Sequence, residues 1–197
     1  MKTAYITFIT ALLSVCPSQA GAETAPADQA TLEARKLVQI FAGSLKSTLI
    51  SAMQEGGPVA AISACKTEAP SIANDLSKTT GWQIARTSLK IRNSNNTPDA
   101  WERTVLEQFE QGRLAGESID SMEYAALTNE GDEPVFRYMK AIPTQAVCLA
   151  CHGSHLDTAL QHKLDELYPD DTATGFSPGD IRGAFTLRKS MPVNAER

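Results

Sequence analysis

Cys148-Leu149-Ala150-Cys151-His152 is the stretch of the chain with the most definite chemistry. Two thiols separated by two residues can reach the two vinyl groups along one edge of a porphyrin and become thioethers. A histidine directly after the second thiol then lies under the ring, where an imidazole nitrogen can bind iron as the proximal ligand. The spacing C-x-x-C-H thus reads as the covalent attachment site of one haem c per chain, with Cys148, Cys151 and His152 as its residues. Two other uses of C-x-x-C fit less well. A thioredoxin-like disulfide sits between a buried strand and a helix near the start of a βαβ unit, whereas this motif comes late. A zinc site would want a second C-x-x-C or an H-x-x-x-H nearby, and the sequence has neither.

In bacteria such attachment takes place outside the cytoplasm, so the N-terminus bears on it. Lys2 is the only charge before Glu23, and residues 4–15 are apolar except for Thr and Ser. Ser18-Gln19-Ala20 and Ala20-Gly21-Ala22 both fit small-x-small cleavage. Residues 1–22 are expected to be a cleaved signal peptide, 23–30 a flexible linker and 31–197 one domain. Val15 before Cys16 makes a lipoprotein site a weaker reading. No other stretch is long and apolar enough to span a membrane, and the expected location is the periplasm.

Cysteine counting then becomes informative. Cys16 leaves with the signal peptide, and the motif uses Cys148 and Cys151, so Cys65 is alone in an oxidising compartment. On its own pattern, beside Ala61 and Ile62 on a helix, it reads equally well as a small buried hydrophobe. The net charge of −5 argues against nucleic acid and anionic membranes as partners. About 175 mature residues suit one domain with one sizeable core.

The elements that must carry these residues follow from periodicity. Leu32, Leu37, Ile40, Phe41, Leu45, Leu49, Ile50 and Met53 mark a long amphipathic helix over 31–53, stopped by Gly56-Gly57-Pro58. Its apolar stripe serves core packing or, alternatively, pairs two copies as a homodimer. Pro58 opens a second helix through Cys65, Pro70 interrupts it, and a short helix ends before Gly81. A strand is expected over 82–91, a turn over 93–98 and a helix over 99–112. Two strands, 123–128 and 134–142, form a hairpin across Asn129-Glu130-Gly131-Asp132. A helix follows the motif through Leu156, Leu160, Leu164 and Leu167, then a loop over 168–179 and a last strand over 183–187. Helices and antiparallel strands without βαβ alternation give an α+β fold.

Several phrases together resemble a family of PAS-like c-type haem domains, found alone and fused to sensor kinases. They are Ala60-Ala61-Ile62 through Cys65, Glu68-Ala69-Pro70, Arg86-Thr87-Ser88-Leu89, Arg92-Asn93, Asn96 and Pro98-Asp99-Ala100-Trp101-Glu102. They continue in Cys148 to Gly153, Tyr168-Pro169, Asp171, Ala173, Gly175 and Gly179-Asp180-Ile181-Arg182-Gly183-Ala184-Phe185. The resemblance implies a PAS-like antiparallel sheet flanked by helices, one covalent haem, and iron held by the motif histidine and a cysteine sulfur. Those ligands would be His152 and Cys65. A thiolate donor would favour ferric iron and a low potential.

Met191, Met139, Met53, His155 and His162 are competing sixth ligands. Met139 and Met53 fall in expected core positions, and His155 is too near His152 in sequence to cross the ring easily. His162 lies between Gln161 and Lys163, as on a solvated helix face. Arg86, Arg92 and Arg182, each within one of the phrases that carry the resemblance, are candidates for the haem propionates or, equally, exposed or structural salt-bridge arginines. The loop near 170–175 resembles a calcium loop, but Ile181 stands where the bidentate Glu belongs. The functional expectation is a monohaem cytochrome for electron transfer or redox sensing, working with a redox partner or a separate output protein. The alternative is a haem-based gas- or ligand-sensing module. An enzyme is not expected, since no distal acid–base set is apparent.

Overall fold

The structure, a computed structural model, describes residues 26–192. The expected signal peptide and residues 23–25 lie outside the described residues. The first element is helix α1, Pro26–Thr80. It begins inside the stretch expected to be linker, because Pro26 suits a first helical turn and Ala30 is already packed in the core at 4% exposure.

Gly56-Gly57 interrupts the helical conformation inside α1, at the place where the sequence predicts the end of one helix and the start of the next. Gly57 adopts φ 68°, ψ −164°, a conformation that side chains with a Cβ avoid, and a Cβ on Gly56 would lie 2.7 Å from that of Ala60. The pair therefore divides α1 into two arms, and Pro58 restarts the second in a first-turn position. Pro70 leaves the second arm unbroken. Its missing N–H removes one helical hydrogen bond, but Ala69 is buried, and Ile72, Ala73 and Leu76 pack against the core around it.

Four strands form one antiparallel sheet: β1 (Gln83–Thr87), β2 (Glu123–Glu130), β3 (Glu133–Pro143) and β4 (Ile181–Ser190), in the order β1-β4-β3-β2. β1 is shorter than expected because the chain turns away after Thr87, where the Ser88 amide donates to the Asn96 carbonyl and its hydroxyl to that of Arg182. The hairpin is longer than expected: Glu130 pairs with Glu133, so only Gly131-Asp132 forms the turn. β4 likewise extends beyond 183–187 at both ends.

Period-two alternation sends β3 and β4 side chains to two packed faces. On one face Phe136, Tyr138, Phe185 and Leu187 meet Ala34, Leu37, Val38 and Phe41 of the first arm of α1, with Trp82 and Ile84. This uses the apolar stripe of that arm for core packing and leaves Leu32, Ile40 and Ile50 exposed. On the other face Met139, Ala141 and Ala184 meet Val105, Leu106 and Phe109 of α2 (Ala100–Leu114). A capping box starts α2: the Glu102 amide donates to the Asp99 carboxylate at 2.8 Å, and the Asp99 amide to that of Glu102 at 3.0 Å. Helices α3 (Leu149–His152) and α4 (Thr158–Leu167) follow the hairpin, and α4 packs Leu160 and Leu164 on Ile62 of the second arm. The fold is α+β, an open antiparallel sheet flanked by helices, with a long N-terminal helix.

Candidate functional site

A cavity of about 510 Å³ opens among the second arm of α1, strand β1, the 88–96 loop and α3. Cys65, Cys148, Cys151 and His152 all line it, as do Arg86, Arg92 and Arg182. Residues spread over more than a hundred positions of sequence therefore share one space. Cys65 arrives there because its arm carries a stripe of small and apolar residues, Ala61, Ile62, Cys65 and Ala69, at helical spacing. Arg86 arrives from β1, on the same side of the strand as buried Ile84.

The motif itself is a tight helical bend. A 3₁₀ turn over Ala146–Cys148 leads into α3, and the Gly153 amide closes it on the Leu149 carbonyl at 2.9 Å. A Cβ on Gly153 would lie 2.6 Å from that carbonyl oxygen, so glycine is required at this close approach. The 168–179 loop then clamps the motif. The Phe176 amide donates to the His152 carbonyl at 2.9 Å and the Gly175 amide to that of Gly153 at 3.0 Å. Arg92 ties the two together: its guanidinium donates to the Cys151 carbonyl at 2.6 Å and pairs with Asp171 at 2.9 Å.

His152 is held in one tautomer. Its Nδ1 lies 2.7 Å from the Ala173 carbonyl oxygen, which can only accept, so Nδ1 carries the proton and Nε2 keeps its lone pair. Burial, with Arg182 and Arg92 adding to it, pushes the His152 pKa down to about 2. A neutral imidazole with an oriented free nitrogen is the form that binds a metal. Phe176 meets the ring edge-on with centroids 6.2 Å apart.

Burial pushes the Cys65 thiol up, against the pull of Arg86 and Arg92, and it also raises the thiol of Cys151. The thiols of Cys65, Cys148 and Cys151 are all free and half-buried. Burial also lowers the pKa of Arg86, and brings that of Arg182 to about 10 with Arg92 and Arg86 contributing. No Asp or Glu lines the cavity among the described residues.

The structure separates the other candidate ligands. His155 and His162 are exposed, Met139 is fully buried in the α2 core, and Met191 packs against the core beside α1. Met53, expected in a helix core, instead lines the cavity. Tyr168 also lines it, with Lys66 over its ring at 5.5 Å from the centroid. The clamp formed by Asp171, Ala173 and Phe176 was not foreseen as part of the site. The only sequence signal for it is that Asp171 and Ala173 fall within the phrases that carry the family resemblance.

The arrangement can hold a large flat ligand fixed through two thiols, with an imidazole on one side and a further sulfur in the same cavity. Its volume lies within the range of about 300–1,000 Å³ common for cofactor pockets. Among the described residues no three His, Cys, Asp or Glu side chains gather as they would to hold a metal ion unaided. No described helix is long and apolar enough to cross a membrane.

Comparison with known proteins gives the same direction. The sequence model of the Tll0287-like family matches residues 19–190. The crystal structure of the cyanobacterial haem protein Tll0287 is similar over 88% of this chain and 100% of that one, at 25% identity and a TM-score of 0.61. No curated protein matches. A match over so much of the chain, on a fold with the expected sheet and helices, leads to one conclusion: the chain belongs to the Tll0287-like family.

Proposed function

We propose that this chain is an exported, periplasmic haem protein that carries electrons or senses redox state through one haem c, and is not an enzyme. The thioethers would form at Cys148 and Cys151, with His152 and Cys65 as the axial ligands. The observation that carries this reading is that one cavity is lined both by the C-x-x-C-H motif and by Cys65, the one cysteine outside it among the described residues. The likeness to the haem protein Tll0287 supports the cofactor class.

Bound there, the haem would supply a one-electron ferric–ferrous couple. The chain's own residues would set its terms. The Ala173 carbonyl orients the His152 ring and strengthens it as a donor. Arg92 and Asp171 keep the motif against the 168–179 loop. Cys65 as thiolate favours the oxidised state, and the apolar Ala61, Ile62 and Ala69 beside it limit water. A separate redox partner or output protein would exchange the electron or read the state.

The apolar lining beside Cys65, Ala61, Ile62 and Ala69, favours a second reading, in which this side of the cavity would take a gas or small ligand. That is a sensing module with a separate partner. Optical spectra of wild type and Cys65→Ala test the primary assignment. Loss of a thiolate-to-iron charge-transfer band in the variant supports it, and an unchanged spectrum rules Cys65 out. Met53→Leu is the matching control for the other sulfur in the cavity. Carbon monoxide binding to the reduced wild type separates the sensor from the closed carrier.

A further inference from the structure

The cavity's three arginines do not share one role. We propose, on the basis of the haem reading above, that Arg86 and Arg182 hold the two haem propionates, and that Arg92 is instead a positioning residue for the motif. Arg92 is already engaged. It pairs with Asp171 at 2.9 Å and donates to the carbonyls of Cys151 at 2.6 Å and Ala173 at 3.3 Å. Both partners of that ion pair are about a tenth exposed, at 11% and 9%.

Arg86 and Arg182 are left over in the sense that matters for binding an anion. The Arg86 side chain makes no hydrogen bond or ion pair with any described residue, and what surrounds it is Cys65 and Tyr168. Arg182 donates only to the Ser88 hydroxyl at 3.2 Å and the Lys90 carbonyl at 3.3 Å, and it lies over the Phe176 ring. Neither has a carboxylate partner among the described residues. Three guanidiniums line the cavity, and one carboxylate, that of Asp171, neutralises one of them. Two positive charges remain in a half-buried space, and charges so placed need partners. A haem brings two propionates, so the charge of the ligand and the charge of the cavity cancel. Guanidinium is suited to this, since it meets a carboxylate through two parallel hydrogen bonds.

The test uses the full haem-loaded chain with Arg86→Gln, Arg182→Gln, the corresponding Lys variants, and Arg188→Gln. Arg188 lies on β4 outside the cavity and removes the same charge. The mass of the denatured wild type first reports whether haem is covalently attached; its absence defeats the haem reading itself. With haem attached, each Gln variant at Arg86 or Arg182 should lower the midpoint potential. The expected change is about tenfold in the ferrous-to-ferric ratio at fixed ambient potential, or ~59 mV for one electron. The Lys variants should recover most of it, and Arg188→Gln should not change it. Propionate bending bands in resonance Raman spectra should move in the Gln and Lys variants but not in Arg188→Gln. Unmoved bands with unchanged potentials would overturn the assignment, as would an equal shift in Arg188→Gln. If the Gln variants do not accumulate, the Lys variants decide through the Raman bands, because lysine keeps the charge but loses the paired geometry.

Discussion

The Nδ1 atom of His152 and the carbonyl oxygen of Ala173 lie 2.7 Å apart, and this contact fixes which imidazole nitrogen faces the cavity. Ala173 is itself fully buried and is held by its own amide, which donates to Asp171 at 2.7 Å. Asp171 thus supports both the carbonyl that orients His152 and the arginine that holds Cys151. Asp171→Ala should therefore cost about 3 kcal/mol, the scale for removing one partner of a buried ion pair. Denaturant unfolding of the haem-loaded chain measures it, and a loss below a few tenths would show that the clamp is dispensable.

Gly57 can be tested as the bend that divides α1. At φ 68°, ψ −164° any other residue is strained, and Gly57→Ala should destabilise by about 1–3 kcal/mol. Because the second arm brings Cys65 to the cavity, the same variant should also perturb the optical spectrum. A spectrum identical to wild type, with stability lost, would separate the bend from the site.

Phe41 is 1% exposed and meets Phe185 edge-on at 5.6 Å. Phe41→Ala should cost about 3–5 kcal/mol by chemical denaturation. Since it lies at the junction of the core and the cavity wall, covalent haem should stay attached while the unfolding midpoint falls.

Much of this fold was legible in the sequence because it rests on periodicity. The stripe Leu37, Phe41, Leu45 marked a packed helix, and the cluster Asn129-Glu130-Gly131-Asp132 marked the hairpin. Cys148, Cys151 and His152 stood out because C-x-x-C-H is a pattern of spacing along the chain, and the structure brings them to one cavity. The meeting of Cys65 with them in one cavity was not a matter of spacing at all; cysteine counting and family phrases pointed to that residue. The Ala173 carbonyl could not be read, since every residue carries a carbonyl and only the fold selects one. Gly56-Gly57 was read as the end of one helix before another opens at Pro58, and the backbone does leave helical geometry there, because glycine alone takes φ 68° without strain. Pro70 was over-weighted: packing of Ala69, Ile72 and Ala73 outweighs one lost hydrogen bond.

Acid should weaken the fold through Glu123. Its carboxylate accepts from Arg35, and from the Tyr138 hydroxyl at 2.6 Å. Arg35 first, and then Tyr138, hold the carboxyl below its ordinary value of 4.5, with burial opposing them. A group depressed in the folded state contributes stability above its unfolded pKa and loses it as pH falls through the folded value. Stability should therefore be flat from neutrality to pH 4.5 and decline below it. The decline should be shallower in Glu123→Gln; equal slopes for the two proteins would place the acid response elsewhere.

The sheet order leaves β2 on the outside, and along it Leu127 is 62% exposed. Such an edge offers unpaired backbone groups to any similar strand, which is how folded chains begin to stack. In an antiparallel, in-register approach of two copies, Glu123 of one would lie opposite Glu130 of the other at both ends. Arg35 and Arg188 already pair with these glutamates within each chain, which tempers the repulsion between them. Leu127, near the middle of the edge, is then the contact along which concentrated protein would first associate.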